Sequence, residues 1–252
     1  MTEGSRFTLT RRDAVAELVF DDGGMNLLST AALVEMGEAL RRLPVAGARW
    51  PPQSAEPHPP LLPATGHRQP ILLFRSARPA LFAAGADMTE MARFSAADAD
   101  RFARLGQELF AFIERLPCIT VCVVDGDCFG GALDLSMAFD LRFATERSRF
   151  SHPGAKLGIV TGFGGTSRWR KVLERPAARR LFLGNPVLSA HDALAAGLID
   201  ALGEPDLAHL ASLDPAMTAM LKELAPRAER LDRRSLLVFA EHLWSVGATP
   251  PD

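Results

Sequence analysis

The sequence predicts an α/β protein. Three observations carry this expectation. Apolar strand-like runs alternate with helix-like runs through the first part of the chain, the stretches after about residue 164 read as helices, and two small-residue segments stand where a strand-like run gives way to a helix-like one. The first segment, Phe82-Ala83-Ala84-Gly85-Ala86-Asp87, follows Ile71-Leu72-Leu73-Phe74. The second, Gly126-Asp127-Cys128-Phe129-Gly130-Gly131-Ala132-Leu133-Asp134, follows Ile119-Thr120-Val121-Cys122-Val123-Val124. Glycine and alanine let a ligand come close to main-chain N–H groups, and a helix starting just after Gly130-Gly131 aims its unpaired N–H groups and positive dipole end at that ligand. Two such N–H groups converging on one oxygen would form an oxyanion hole. The residues alone point to an anion or carbonyl site.

Taken in order, Val15–Phe20 reads as a strand and Asp22-Gly23-Gly24 as a turn. Ser29 is an N-cap for a helix running to about Leu43, with Leu33, Met36 and Leu40 on its apolar face. Residues 44–70 contain Pro44, Pro51, Pro52, Pro57, Pro59, Pro60, Pro63 and Pro70 with no apolar period, which excludes a helix and predicts a surface loop or disordered insertion. Ile71–Phe74 is the next strand. Ser95 caps a helix to about Leu116, carrying Phe102, Leu105, Leu109, Phe112 and Ile113 at helical spacing. Ile119–Val124 is a buried strand, Gly131–Phe139 a helix and Leu141–Ala144 a strand. Helices are expected over about 164–174, 176–183, 189–196, 205–212, 214–225 and 230–245. This organisation divides the chain into a core over 1–200, interrupted at 44–70, and a helical C-terminal region over 201–252.

Composition narrows the function classes. The 252 residues suffice for one large domain, and 48% apolar with 23% charged residues is ordinary for a soluble globular protein. A net charge of −2 gives no electrostatic reason to expect nucleic acid or an anionic membrane as partner. Met1–Arg6 lacks a signal-like apolar stretch, and no apolar run approaches about 18 residues, so the expected location is the cytoplasm. Cys118, Cys122 and Cys128 lie in or beside a buried-looking strand without a ligand set around them. They read as buried reduced thiols, with no metal site.

The order FAAGAD, GDCFGGALDL, Phe150-Ser151-His152-Pro153, then Leu157-Gly158-Ile159 with Gly162-Phe163-Gly164-Gly165-Thr166, resembles the enoyl-CoA hydratase/isomerase (crotonase) family. Arg179–Gly184 and Leu188–Asp200 are similar to the family's later helices, so the resemblance covers roughly 8–245. It implies a spiral of ββα units with C-terminal helices, a homotrimer or hexamer, and chemistry on an acyl-CoA or acyl-carrier thioester as substrate, with no cofactor. It further implies that the N–H groups of Ala86 and Gly131 hold the thioester oxygen, because proton removal or water addition beside a thioester passes through an enolate. Leu27, Ala84, Asp87, Met88, Phe129, Gly130, Pro153 and Gly154 would line the acyl-CoA site. Asp134 would be the acid/base: it takes the position of the hydratase glutamate, and the family's dienoyl-CoA isomerases carry aspartate there.

The chain departs from the family at several points. Gly154 stands where hydratases place a second glutamate, and Gly162 where dienoyl-CoA isomerases place an extra aspartate, which puts two-carboxylate hydration in doubt. His152 is then the nearest titratable alternative. Asp140 reads as structural, Lys156 and Arg168 as solvated or interface charges, and His191, His209 and His242 as surface residues; His58 and His67 fall in the proline-rich stretch without a metal-ligand pattern. Met88-Thr89-Glu90 lacks the lysine that the family often uses near the nucleotide phosphates, so Arg75, Arg78 or an arginine of the insertion would substitute, or CoA would bind weakly. Against the family's pattern only a short tail remains after Trp244, so the final helix is expected to be missing or shortened. Two readings follow: an enoyl-CoA hydratase or double-bond isomerase, or a weakly active or inactive relative that binds an acyl thioester or a partner subunit.

Overall fold

The computed structural model describes residues 4–43 and 71–224. The proline-rich stretch 44–70 and the helix expected at 230–245, with His58, His67 and His242, lie outside them. The described chain opens with an antiparallel pair, β1 (Phe7–Arg12) and β2 (Val15–Phe20), in which the Phe7 and Phe20 rings stack at 4.5 Å. The sequence hid β1 because it is an edge strand, polar or charged at four of six positions. β3 (Leu27–Leu28) leads into α1 (Thr30–Arg41), where the Ser29 Oγ accepts from the Ala32 N–H at 3.1 Å, as the sequence predicts.

From here the chain winds between two sheets. β4 (Ile71–Ser76) lies parallel to β2, β5 (Leu81–Ala83) enters a second sheet, and β6 (Gly85–Ala86) pairs with β3 before α2 (Met88–Met91) and α3 (Ala96–Arg115). Ser95 and Asp98 form a reciprocal capping box at the start of α3. The next turn repeats the plan with β7 (Thr120–Val124), β8 (Asp127–Phe129) and α4 (Gly131–Ser136). A third turn gives β9 (Leu141–Ala144), β10 (Arg149–Ser151), then α5 (Gly154–Leu157), α6 (Gly165–Val172) and α7 (Arg175–Gly184). β11 (Leu188–Ser189), α8 (Ala190–Ala195), β12 (Ala201–Leu202), α9 (Leu207–Ser212) and α10 (Pro215–Leu224) complete the described chain. The six-stranded sheet runs β1-β2-β4-β7-β9-β12 and the four-stranded sheet β11-β10-β8-β5. Each turn gives one strand to each sheet and then a helix, which is the expected ββα spiral.

Both faces of the larger sheet are covered, which explains why its central strands read as continuous apolar runs. Leu72 and Phe74 of β4 join the main core with α1, α3 and α4, while Ile71 and Leu73 point the other way and pack under Leu207 and Leu210 of α9. The three cysteines are free and buried. Asp140 is structural: its Oδ2 accepts from the Thr120 N–H and hydroxyl, both at 2.8 Å, and pairs with Lys222 Nζ at 2.6 Å, fastening α10 to the sheet.

Two expectations are corrected. α4 ends at Ser136 instead of Phe139, because Ala138 and Phe139 donate to carbonyls three residues back and tighten the chain out of the helix. Arg168 is not solvated. Its side chain is 6% exposed, donates to the Phe163 carbonyl at 2.6 Å, pairs with Glu114 at 3.1 Å and lies over the Phe110 ring. A guanidinium can be buried this way when carbonyl and carboxylate acceptors meet its fork.

Candidate active site

At the end of β8 the chain reverses through Gly130, whose φ of 55° and ψ of −121° suit only a residue without Cβ. Its N–H donates to the Ser151 carbonyl at 2.9 Å. Gly131 is the first residue of α4, so its N–H has no carbonyl of that helix to bond. β6 passes beside this turn: a Cβ on Gly85 would lie 2.6 Å from the Phe129 carbonyl oxygen and 3.2 Å from the Gly131 nitrogen. The Asp87 N–H donates to Leu28 at 3.3 Å on one side of β6. Alternation along a parallel strand turns the Ala86 N–H to the other side, where Gly131 stands. Ala86 and Gly131, 45 positions apart in the chain, therefore present main-chain donors to one half-buried space.

The other residues expected to line this space fall into two groups. Phe129, Gly130, Pro153 and Ala84 are half-buried around the turn, and Met88 is 47% exposed at its edge. The polar groups of Leu27 and Asp87 are already engaged. The Leu27 N–H donates to Asp22 Oδ2 at 2.8 Å and its carbonyl accepts from Ser29 at 3.0 Å, while the Asp87 carboxylate caps α2 through the N–H groups of Thr89 and Glu90.

Asp134 projects from α4 and is fully buried. Its Oδ2 accepts from the Thr161 hydroxyl. Its Oδ1 has no hydrogen-bond partner and faces His152 Nε2 at 3.5 Å, which has none either. Such unpaired buried polar atoms cost about 1–3 kcal/mol each, so a native fold retains them for a reason. The imidazole packs beside the Phe182 ring at 4.8 Å.

Position 154 is closed. A Cβ there would lie 2.5 Å from the Ile159 carbonyl oxygen and 3.2 Å from His152 Nδ1. Gly162 holds no acid either; its carbonyl accepts from Gln107 at 2.6 Å. Of the arginines considered for the nucleotide phosphates, Arg75 is paired with Glu17 at 3.0 Å and Glu204 at 3.1 Å, and Arg78 lies 3.8 Å from Asp21. Lys156, His191 and His209 are exposed. Among the described residues no cluster of three or more His, Cys, Asp or Glu could hold a metal ion, and no helix is long and apolar enough to cross a membrane.

Sequence reasoning missed Thr161. A lone threonine in a glycine-rich loop carries no signal of its own; only folding that loop over α4 brings its hydroxyl to Asp134.

The enoyl-CoA hydratase/isomerase family model matches residues 71–227. A crotonyl-CoA hydratase of Syntrophomonas wolfei subsp. wolfei is 35% identical over 125 residues, covering 50% of this chain and 48% of that protein. The match thus spans about half the length of that relative. The solved structure of an enoyl-CoA hydratase from Thermoplasma volcanium GSS1 superposes with a TM-score of 0.80 at 18% identity, covering 98% of this chain and 94% of that one. Pseudomonas aeruginosa DspI superposes at 0.77 with 20% identity, covering 98% and 96%. At those identities the structural likeness speaks for the fold.

Proposed function

This chain belongs to the enoyl-CoA hydratase/isomerase family, and on that basis we propose that it moves a double bond within an acyl thioester, with an enolate held between the N–H groups of Ala86 and Gly131 and Asp134 as the acid/base. The observation that carries isomerisation over hydration is the closed position 154 beside Asp134, the one buried carboxylate among the described residues. A 1,3-proton shift needs one base that removes a proton from one carbon and returns it to another. Hydration needs a second group to activate water, and a side chain at 154 would have to displace the Ile159 backbone. Two N–H donors toward the developing oxyanion lower the barrier because that charge appears only as the C–H bond breaks.

The thioester is the substrate and no cofactor enters the chemistry. Self-association as a trimer or dimer of trimers belongs to the same reading, and light scattering at micromolar concentration tests it. Every residue assigned a part falls within 1–200, the proposed core.

A second reading, an acyl-thioester binder with little turnover, is favoured by one observation: Arg75 is already paired to two glutamates, which leaves it no free fork for a nucleotide phosphate. The deciding experiment incubates the protein with 2-enoyl- and 3-enoyl-CoAs of several chain lengths in D₂O and follows isomer ratio, hydration and deuterium uptake by mass spectrometry. Interconversion of the two enoyl isomers without 3-hydroxyacyl product supports isomerisation. Asp134→Asn should lower kcat by roughly 10²–10⁴-fold with KM little changed, since the proton transfer is made only in the transition state. Hydration at a comparable rate would overturn the assignment, and binding without any turnover would favour the second reading.

A further inference from the structure

The contact between Asp134 and His152 has no part in the reaction just described, yet it is among the most enclosed polar contacts of the fold. Asp134 is 0% exposed and the His152 side chain 7%. Oδ1 and Nε2 face each other at 3.5 Å with no other partner for either. Two facing lone pairs would repel. One proton on Nε2, on the line between them, satisfies both atoms at once, the imidazole N–H facing the carboxylate.

The surroundings fix both groups. The Thr161 hydroxyl holds the other carboxylate oxygen, and the Phe182 ring flanks the imidazole. Missing side chains provide the room. A Cβ on Gly165 would lie 1.8 Å from Oδ1, and one on Gly154 would lie 3.2 Å from both Nδ1 and Cε1 of the imidazole. The imidazole therefore borders the space through which a side chain at 154 would have to leave the backbone.

We propose that His152 and Thr161 are positioning residues for Asp134: one proton shared between His152 Nε2 and Asp134 Oδ1, together with the Thr161 hydroxyl on Oδ2, holds the carboxylate in one orientation and gives the site an imidazole–carboxylate pair in place of two carboxylates. The pairing itself does not depend on the reaction. Its catalytic consequence rests on the proposed acid/base role of Asp134.

The first test needs no substrate. In the full-length protein with ¹⁵N-labelled histidine, the pairing gives an imidazole N–H signal protected from solvent exchange, assigned to His152 by its loss in His152→Phe. That signal should vanish or lose protection in Asp134→Ala. Absence of any protected imidazole proton, or one indifferent to Asp134→Ala, overturns the proposal.

The second test uses turnover. Thr161→Val and His152→Phe should each lower kcat by about 10-fold or more with KM within about 2-fold, and Thr161→Ser should recover most of the loss. In an Asp134→Asn background, Thr161→Val should add almost nothing, because its effect passes through the carboxylate. Additive losses would overturn the positioning role. If the protected proton is present and no enoyl thioester is turned over, the pairing stands and the isomerase reading falls. If isomerisation occurs without the protected proton, the reverse holds.

Discussion

A Cβ atom on Gly165 would lie 1.8 Å from Asp134 Oδ1, so the buried carboxylate fills the space that any side chain at 165 would need. The two residues come from helices 31 positions apart, and the contact sets where Asp134 can point.

Gly165→Ala tests this relationship. Gly165 is the first residue of α6, where alanine is otherwise the better helix former. We expect a loss of stability of about 1–3 kcal/mol instead of a gain, because the methyl group must push the carboxylate off its seat. Urea unfolding reads the sign, and an alanine variant as stable as the parent would show that Asp134 has room to move.

Gly154→Glu replaces the carboxylate that hydratases of the family carry. The new Cβ meets the Ile159 carbonyl at 2.5 Å, a backbone atom that cannot swing aside as a side-chain tip can. The expected outcome is destabilisation of about 1–3 kcal/mol with no gain of enoyl-CoA hydration. A folded variant that hydrates crotonyl-CoA would show that only the missing acid separates this site from a hydratase.

Asn26→Ala should cost about 2–4 kcal/mol, as several buried polar groups lose their partner together. Asn26 is fully buried, and its Nδ2 has three acceptors within hydrogen-bond reach of its two N–H bonds, the Phe20 carbonyl at 3.2 Å, Ser76 Oγ at 2.8 Å and the Phe82 carbonyl at 3.1 Å, so that it ties β2, β4 and β5 together. A shift of the urea midpoint equivalent to less than about 1 kcal/mol would refute this account.

The cysteines predict an alkaline limit. Burial pushes the Cys118 thiol up to about 11 from its ordinary 9.0, and burial likewise raises Cys122 and Cys128. In the folded state these thiols hold their protons more tightly than in the unfolded chain. The stability they contribute is complete below the unfolded value and is lost as pH rises from about 9 toward 11 and above. The urea midpoint measured at several pH values should fall across that interval, and no cysteine should react with a thiol reagent in the native protein at pH 8. Prompt labelling at pH 8 would contradict the burial.

Much of the fold is legible in local sequence, because local rules govern it. Ser29 and Ser95 cap the helices they precede, β4 and β7 are apolar on both faces, and the two small-residue turns adjoin a strand and a helix as their composition requires. β1 escaped because its alternation is masked by polar edge positions, and the end of α4 because its last residues bond three back, a choice set by tertiary anchoring at Asp140.

The site divides along the same line. The sequence by itself determined which groups were available: one carboxylate at 134, none at 154 or 162, and small residues at 86 and 131. Only the tertiary structure decided what those groups meet. The 159–165 loop puts the Thr161 hydroxyl on Asp134 and closes position 154 with the Ile159 carbonyl, while the fold around it sets His152 Nε2 against the other carboxylate oxygen and buries Arg168 on Glu114. Those contacts join residues 5 to 54 positions apart, and no local propensity encodes them; they follow from packing close enough that a single Cβ at 154 or 165 would not fit.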